Sequence, residues 1–359
     1  MSQRFWSDLT RELSPYVPGE QPKHPSLLKL NTNESPYPPS DAVLAAVASV
    51  SGDDVLRYPD PGAAELRGAI SDFCGLKPEQ VFVGNGSDEV LAHVFMGLLK
   101  HERPLLYPDI CYSFYPVWCE LHRVTAERVP LRDDFRIAVD DYRPDAAAVI
   151  LPNPNAPTGL ALELGDIERL LQASADRLIV VDEAYIDFGA QSAVPLIERY
   201  DNLLVVQTLS KSRALAGMRI GMAMGHPDLI EGLERIKDSF NSYPLDIAAQ
   251  RAGVAAMGDR AWYEETRSQV MASRDALTGE LQSRGFEVLP SAANFVFARH
   301  KSAPGKAIFD GLRERGVIVR RWDKPRIEDF LRISVGTEDQ CKRLLAELDD
   351  VLGELLQES

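Results

Sequence analysis

The chain has 359 residues, 45% of them hydrophobic, so it can bury a large core and form two domains. Its 39 basic and 54 acidic side chains give a formal charge of −15, which argues against a nucleic-acid-binding protein. The four cysteines lack CxxC spacing and the six histidines are scattered, which disfavours disulfides and structural zinc and is typical of a cytoplasmic protein. The opening MSQRFWSDLTREL lacks an apolar segment, so we expect no signal peptide, and no apolar run has membrane-spanning length.

The first 40 residues contain seven prolines and predict an extended arm after one short helix. Helical and strand patterns then alternate. AVLAAVASV predicts a helix, and EQVFVGNGSDEVLAHVFMGLLK predicts a strand, a glycine turn and a helix. Short apolar strands are predicted in RPLLYP, AAAVILP, RLIVVDEAY, NLLVVQT and RIGMAMG. Such strands alternating with helices predict an α/β fold, with a mostly parallel sheet covered on both faces.

The pattern changes after about residue 230. A long amphipathic helical region is predicted from about 227 to 284, interrupted near NSYPLD. Strand patterns follow in FEVLP, NFVFAR, GVIVRRW and FLRISVG, with helices between them, and indicate an α+β layer. We therefore predict a large domain (41–270), a small C-terminal domain (271–359), and an arm (1–40) that packs against the small domain.

The run TLSKSRALAGMRIG (208–221) places Lys211 at the end of an apolar strand. A lysine that forms a Schiff base needs a rigid, partly desolvated position beside an anion site. Thr208, Ser210 and Arg219 could form that site, because hydroxyl groups and a guanidinium suit a phosphate. Pyridoxal 5'-phosphate carries both an aldehyde and a phosphate, so it is the predicted cofactor. A surface lysine after a strand is the alternative.

Other polar motifs follow predicted strands, at the carboxyl ends where open parallel sheets bind ligands. In GNGSDE (84–89), Ser87 and Asp88 are expected to cap the next helix, whose free N–H groups would bind an anion. An ordinary capped turn is the alternative. PNPNAPTG (152–159) marks a loop whose asparagine could bond to a phenolate oxygen on a cofactor ring.

Three further motifs supply acidic and aromatic side chains. In VVDEAYIDF, Asp182 should end a strand, where a carboxylate would keep a pyridine nitrogen protonated, and Tyr185 could reach the ring hydroxyl. A metal ligand is the alternative for Asp182, but partners with metal spacing are lacking. Tyr112 in PDICYSFYP could stack on a flat ring or simply pack in the core. Tyr58 in LRYPDPG lies on a loop exposed enough to reach another subunit.

Together these motifs resemble the fold-type-I, aspartate-aminotransferase-like family of pyridoxal-phosphate enzymes, over nearly the whole chain. The resemblance implies a large domain with a mostly parallel seven-stranded sheet and a smaller α+β domain. It implies Lys211 as the Schiff-base lysine, Asp182 at the pyridine nitrogen, Tyr185 at the ring oxygen and Tyr112 stacked on the ring. The implied phosphate ligands are Ser87, the backbone N–H of Asp88, Thr208, Ser210, Arg219 and Tyr58 of a partner subunit.

One position departs from the family pattern. The family usually has NNPTG where this chain has NAPTG, so Ala156 occupies the position of the asparagine that contacts the ring oxygen. We expect Asn155, one residue earlier, to take over that contact.

Within the family the chain is similar to the histidinol-phosphate aminotransferases, through LSPYVPG, KLNTNESPYPPS and FLRISVGT. This similarity implies a homodimer that transfers an amino group between L-histidinol phosphate and 2-oxoglutarate in histidine biosynthesis, by a ping-pong mechanism. Arg320 and Arg332 lie in predicted strands and could converge on one anion. The resemblance implies that they and Tyr16 bind the substrate phosphate, that Arg332 binds the glutamate carboxylate, and that Asn33 lies near the substrate. An ion pair within the domain is the alternative for Arg332.

Three other functions remain open at this point. They are a threonine-phosphate decarboxylase of the same fold, an aminotransferase for aromatic amino acids, and a nucleotide-binding module that uses GNGSDE for phosphate. The last leaves Lys211 and Asp182 unexplained, and GNGSDE matches neither GxGxxG nor a P-loop.

Overall fold

The computed structural model describes residues 3–21 and 26–357, so residues 1–2 and 22–25 of the predicted arm, with Pro22 and Pro25, lie outside it. The strands are β1 (Leu28–Lys29), β2 (Val81–Asn85), β3 (Leu105–Pro108), β4 (Ala126–Val129), β5 (Ala148–Pro152), β6 (Leu178–Asp182), β7 (Leu203–Thr208), β8 (Ile220–Gly225), β9 (Phe286–Val288), β10 (Phe295–His300), β11 (Val317–Ile318) and β12 (Leu331–Ser334). The α-helices are α1 (Asp8–Glu12), α2 (Asp41–Ala48), α3 (Gly52–Val55), α4 (Ala64–Cys74), α5 (Gly86–Gly97), α6 (Tyr115–His122), α7 (Leu164–Gln172), α8 (Pro227–Phe240), α9 (Ile247–Gly258), α10 (Arg260–Ser283), α11 (Gly305–Glu314) and α12 (Glu338–Gln357).

A seven-stranded sheet, in the order β2-β8-β7-β6-β5-β3-β4, forms the centre of the molecule. Its neighbouring strands are parallel except at β8, which is antiparallel to both β2 and β7. Alternate residues of each central strand enter two separate apolar clusters, as Val181 and Val180 of β6 do. Both faces of the sheet are therefore buried, which explains the continuous apolar strand patterns and confirms the predicted mostly parallel α/β sheet.

The edge strand β4 was not predicted from the sequence. Its residues, AERV, are half-buried or exposed, so it lacks the apolar run that marks the central strands. It is recognised only through its parallel pairing with β3. An edge strand needs little burial, and its sequence therefore carries a weak signal.

A second sheet, in the order β12-β10-β9, is antiparallel and packs with α10, α11 and α12 around its own apolar cluster. The predicted strand GVIVRRW does not pair with this sheet along its length. Its β11 pairs in parallel with β1 of the arm, Leu28 opposite Val317, and one bridge joins Arg320 to Arg332. Leu28 and Leu30 enter the same apolar cluster, so this part of the arm packs against the C-terminal layer.

The long helical region contains three helices, α8, α9 and α10. The first break is at 241–246, as predicted. A second break occurs at Asp259, whose side chain accepts a hydrogen bond from the N–H of Trp262 and starts α10. The predicted domain boundary near residue 270 falls inside α10 and stays a prediction. No helix within the described residues is both long and apolar enough to cross a membrane.

Candidate active site

A cavity of about 380 Å³ lies at the carboxyl ends of β5, β6 and β7, where parallel sheets of this kind bind ligands. It collects residues from the arm, the large sheet and the C-terminal layer. Twelve of the predicted site residues line it: Tyr16, Ser87, Asp88, Tyr112, Asp182, Tyr185, Thr208, Ser210, Lys211, Arg219, Arg320 and Arg332. Asn33, Tyr58 and Asn155 do not.

Lys211 lies in the loop that joins β7 to β8. Backbone hydrogen bonds from Leu215 to Leu209 and from Leu209 to Ile220, each 3.0 Å, hold this loop. The amine of Lys211 donates a 3.3 Å hydrogen bond to the carbonyl of Thr32 and lies 5.7 Å from the ring centroid of Tyr185. Within the described chain it has no ion-pair partner. The amine is therefore directed into the cavity on a rigid loop and is available to react.

Asp182 is buried at the end of β6 and lines the cavity. Burial raises the pKa of its carboxyl to about 6. Hydrogen bonds from Tyr115 (2.8 Å) and from the N–H of Ala184 (3.3 Å) act in the opposite direction and lower this pKa. At neutral pH the group is mostly ionised, and its burial is costly without a cation nearby. A protonated pyridine nitrogen supplies such a cation, so Asp182 fits the predicted cofactor. No three side chains of the metal-binding types cluster in the described parts of the chain.

The start of α5 and the loop after β7 form an anion cradle. A side-chain carbon on Gly86 would lie 2.3 Å from the guanidinium of Arg219, and one on Gly221 would lie 2.3 Å from the N–H of Ser87. Only glycine permits this close approach. The hydroxyl of Thr208 donates to that of Ser210 at 2.9 Å beside the same helix start. Backbone N–H groups, hydroxyls and a guanidinium are the donors that a phosphate needs.

The predicted capping of α5 by Ser87 and Asp88 is wrong. The helix begins at Gly86 after Asn85, so both residues lie inside its first turn. Glu89 accepts the N–H of Asn85 at 2.6 Å in place of a cap. The carboxylate of Asp88 instead accepts the hydroxyl of Tyr112 at 2.9 Å and forms a 3.1 Å ion pair with Arg219. Asp88 thus orients two cavity residues through its side chain.

Two tyrosines form aromatic walls of the cavity. The ring of Tyr112 packs edge-on against Tyr115 and Trp118, and burial raises its pKa well above the usual value. Tyr185 packs edge-on against Phe295, and its hydroxyl accepts a 3.0 Å hydrogen bond from Asn33. Asn33 therefore supports a cavity residue from outside the lining, and its predicted place near the substrate stays a prediction.

Asn155 does not reach the cavity in this structure, contrary to the prediction. It is buried, its amide donates to the carbonyl of Ile110 at 3.0 Å, and its side-chain oxygen has no hydrogen-bond partner among the described residues. Ala156 lines the cavity in its place. Of the two residues predicted at the ring oxygen, Tyr185 lines the cavity and Asn155 does not.

Arg320 and Arg332 come together in a cationic pair at the cavity. Their backbones exchange hydrogen bonds of 3.1 and 2.8 Å, and their guanidinium carbons lie 5.5 and 5.1 Å from the ring of Trp322. Arg332 also donates to the carbonyl of Asn31 at 2.8 Å, and burial lowers its pKa. Neither guanidinium meets a carboxylate of the described residues, so the alternative of an ion pair for Arg332 is not found. Two close cations without an acid form a site for an anion.

Tyr16 and Trp322 line the cavity, and Tyr58 lies outside it. Tyr16 lines the cavity and stacks on Phe114 with ring centroids 4.6 Å apart. Trp322 was missed in the sequence, although it directly follows the arginines at the end of GVIVRRW. Tyr58 is 80% exposed and stacks on Tyr243, outside the cavity of its own chain. Its role in a partner subunit stays a prediction.

Known proteins resemble this chain in sequence and in fold. Residues 25–348 match the sequence model of the family described as aminotransferase class I and II. Histidinol-phosphate aminotransferase 1 of Bradyrhizobium diazoefficiens is 60% identical over 353 residues, which are 98% of this chain and 99% of the relative. The histidinol-phosphate aminotransferase of Pseudomonas putida is 56% identical over 95% of this chain and 98% of its own. The crystal structure of the Sinorhizobium meliloti histidinol-phosphate aminotransferase in complex with pyridoxal-5'-phosphate superimposes with a TM-score of 0.87, at 25% identity and over 99% of both chains.

Proposed function

Because this chain belongs to the class I and II aminotransferase family, we propose that it transfers the amino group of L-histidinol phosphate to 2-oxoglutarate. The products are imidazole acetol phosphate and L-glutamate, and the cofactor is pyridoxal 5'-phosphate. The family resemblance predicted from the sequence is confirmed, and the relatives with this activity in their names match nearly the whole chain. One observation carries the proposal: a single cavity holds a lysine, a buried carboxylate and two arginines that have no acidic partner among the described residues.

The cavity has a residue suited to each part of the cofactor. Pyridoxal phosphate supplies an aldehyde, and a ring that withdraws electrons from the substrate carbon next to the bound amino nitrogen. Lys211 would hold the aldehyde carbon, and Asp182 would hold the ring nitrogen in its protonated form. Tyr112 and Tyr185 would contact the ring and its oxygen. The phosphate would be held by Ser87, the backbone N–H of Asp88, Thr208, Ser210 and Arg219.

Lys211 would also serve as the acid–base group of the reaction. Its amine would take a proton, as base, from the substrate carbon that bears the amino group and would return it, as acid, to the carbon that the aldehyde supplies. The loop after β7 holds the lysine within reach, and the carbonyl of Thr32 is the acceptor that its N–H groups use at rest. Asp182 supports this step because it stays ionised against the ring nitrogen.

The arginine pair would bind the anionic group of each substrate in turn. Arg320, Arg332 and Tyr16 would take the phosphate of L-histidinol phosphate, and Arg332 would take a carboxylate of glutamate or 2-oxoglutarate. Guanidinium groups bind both phosphate and carboxylate through paired hydrogen bonds. Since both substrates use the same cations, they must occupy the site one after the other, as a ping-pong mechanism requires.

We also propose that the protein forms a homodimer. Tyr58 stacks on Tyr243, and both side chains are exposed, as are those of Val55, Leu56 and Phe240. Exposed apolar surface of this kind is favourable to bury against another subunit. In such a dimer Tyr58 would reach the partner's phosphate cradle. A cytoplasmic location agrees with the four free cysteines in the described residues.

The visible absorption spectrum of the purified protein tests this function. L-histidinol phosphate, added without a keto acid, should bleach the yellow band of the lysine-bound cofactor, and 2-oxoglutarate should restore it. A band that persists would contradict the proposed substrate. Bleaching by aromatic amino acids alone, or release of carbon dioxide from threonine phosphate, would instead establish one of the alternatives of the same fold.

A further inference from the structure

A hydrogen-bonded network outside the cavity lining joins the two segments that carry Lys211 and Tyr185. Its centre is Asp187, two residues after Tyr185 in a short turn that follows β6. The carboxylate of Asp187 accepts hydrogen bonds from the hydroxyl of Ser212 and, at 2.8 Å, from that of Tyr263. Ser212 directly follows Lys211, and Tyr263 belongs to α10. One carboxylate therefore joins the Tyr185 turn, the lysine loop and α10.

The surroundings of this carboxylate make its hydrogen bonds strong. Ser212 and Tyr263 are buried, and so is Arg213, whose guanidinium lies 3.7 Å from the ring centroid of Tyr263. Arg213 is itself fixed by a 2.7 Å hydrogen bond to the carbonyl of Ala256. Hydrogen bonds to an ionised group in such a place are stronger than those between neutral groups in water. The network is thus a rigid support.

The contacts of the Lys211 amine itself are weak. Among the described residues it makes one long hydrogen bond, to the carbonyl of Thr32, and this bond must break when the amine reacts. The hydrogen bond from Ser212 to Asp187 then remains next to Lys211, in addition to the backbone bonds of Leu209 and Leu215 that hold the loop.

We propose that Asp187 is a positioning residue that sets the direction of the Lys211 amine through Ser212. The inference rests on the proposed role of Lys211 as the lysine that binds the cofactor. It assigns no contact with the cofactor or the substrate to Asp187 itself. Instead, the position of the loop determines how well the amine is aligned with the aldehyde carbon, and small displacements have large effects on such reactions.

Two measurements on full-length protein, freed of cofactor, separate positioning from general support. The first is the rate at which added pyridoxal phosphate becomes bound to Lys211, seen as growth of the yellow band. In this step the amine adds to the aldehyde carbon and water is lost. The second is the affinity for pyridoxamine phosphate, which has the same ring and phosphate but no aldehyde. Only the first measurement depends on the direction of the lysine.

The variants are Asp187→Asn and Ser212→Ala, with Tyr200→Phe as the control. Tyr200 also donates its hydroxyl to a carboxylate, that of Glu168 at 2.9 Å, but it lies outside the cavity lining. We expect both test variants to bind pyridoxal phosphate covalently roughly tenfold to a hundredfold more slowly, with unchanged affinity for pyridoxamine phosphate. The control should match the parent in both measurements.

Two results would overturn the inference. An unchanged rate of covalent binding in Ser212→Ala would show that the loop does not need this anchor. An equal loss in both measurements would show that the network supports the cavity as a whole. If Asp187→Asn does not fold, Ser212→Ala still tests the inference. In that variant the hydrogen bond from Tyr263 to Asp187 remains. A parent protein that forms no covalent bond at Lys211 would contradict the proposed function itself.

Discussion

The hydroxyl of Tyr115 donates a 2.8 Å hydrogen bond to the carboxylate of Asp182, and both side chains are buried. The bond stabilises the ionised carboxylate and so lowers a pKa that burial has raised. Tyr115 starts α6, whereas Asp182 ends β6, so the contact exists only in the folded chain. The hydrogen bond from Tyr115 therefore increases the ionised fraction of Asp182 at neutral pH.

Tyr115→Phe should therefore raise the pKa of Asp182 further and reduce the ionised fraction. Loss of one hydrogen bond to a charged group corresponds to about one pKa unit, so the ionised fraction near neutral pH, and kcat/KM with it, should fall by about twofold. The pH dependence of kcat/KM checks this, because its acidic limb should move to higher pH. Tyr107→Phe is a matched control, since Tyr107 is also buried but contacts Arg128. A pH profile that matches the parent would contradict the proposed role of the bond.

Lys211→Ala should abolish transamination while the protein still binds pyridoxamine phosphate. The change removes both the covalent link and the acid–base group, so turnover should fall by roughly a thousandfold or more. The phosphate cradle lies on other residues and stays intact. Single-turnover kinetics and the affinity for pyridoxamine phosphate measure the two effects separately. Turnover close to that of the parent would remove Lys211 from the mechanism.

Substitutions of Arg320 and Arg332 should change the KM values of the two substrates differently. Arg320→Lys is expected to raise the KM for L-histidinol phosphate by roughly tenfold to a hundredfold, because a paired guanidinium contact is lost. Arg332→Lys should raise the KM for both L-histidinol phosphate and 2-oxoglutarate. Arg321→Lys is the control, since Arg321 pairs with Asp323 and does not line the cavity. Equal effects in all three variants would argue against specific anion binding.

Gly86→Ala should weaken binding of the cofactor phosphate. The new methyl group would lie 2.3 Å from Arg219, and the φ of +81° disfavours any side chain. Equilibrium titration with pyridoxamine phosphate should show a loss of about tenfold or more, as expected when a charged contact is displaced. Gly68→Ala provides the control, because that position in α4 has no atom within 4 Å of the added carbon. Similar affinities in both variants would show that Arg219 can move without consequence.

Glu183 should make the stability of the cofactor-free protein depend on pH. Burial raises its pKa from 4.5 to about 7, against hydrogen bonds from Ser192, Ala193 and Gln207. Between these values the folded state binds more protons than the unfolded state, so this group's stabilising contribution is lost as pH rises. The shift corresponds to about 3 kcal/mol in the free energy of unfolding.

Glu183→Gln cannot titrate and should lose this dependence. Urea unfolding at a series of pH values between 4.5 and 7 measures the free energy of unfolding. Over that window the variant should gain about 3 kcal/mol relative to the parent. Glu168→Gln is the control, because hydrogen bonds from Arg199 and Tyr200 lower the pKa of Glu168. Parallel curves for parent and Glu183→Gln would contradict the expected titration.

The sequence alone determined six of the seven strands of the large sheet and the places where they end. Apolar runs are local signals, so the buried strands could be predicted, and with them the places of Asp182 after β6 and Lys211 after β7. The edge strand β4 and the pairing of β1 with β11 could not, because short or exposed strands are specified by their partners.

The tertiary structure decided which side chains meet. Tyr115 reaches Asp182 from 67 positions away, and Asn33 reaches Tyr185 from 152 positions away. Asn155, predicted to face the cofactor, is turned instead to the carbonyl of Ile110. No local pattern encodes these contacts, because a buried polar group takes whichever partner the packing of distant segments brings near.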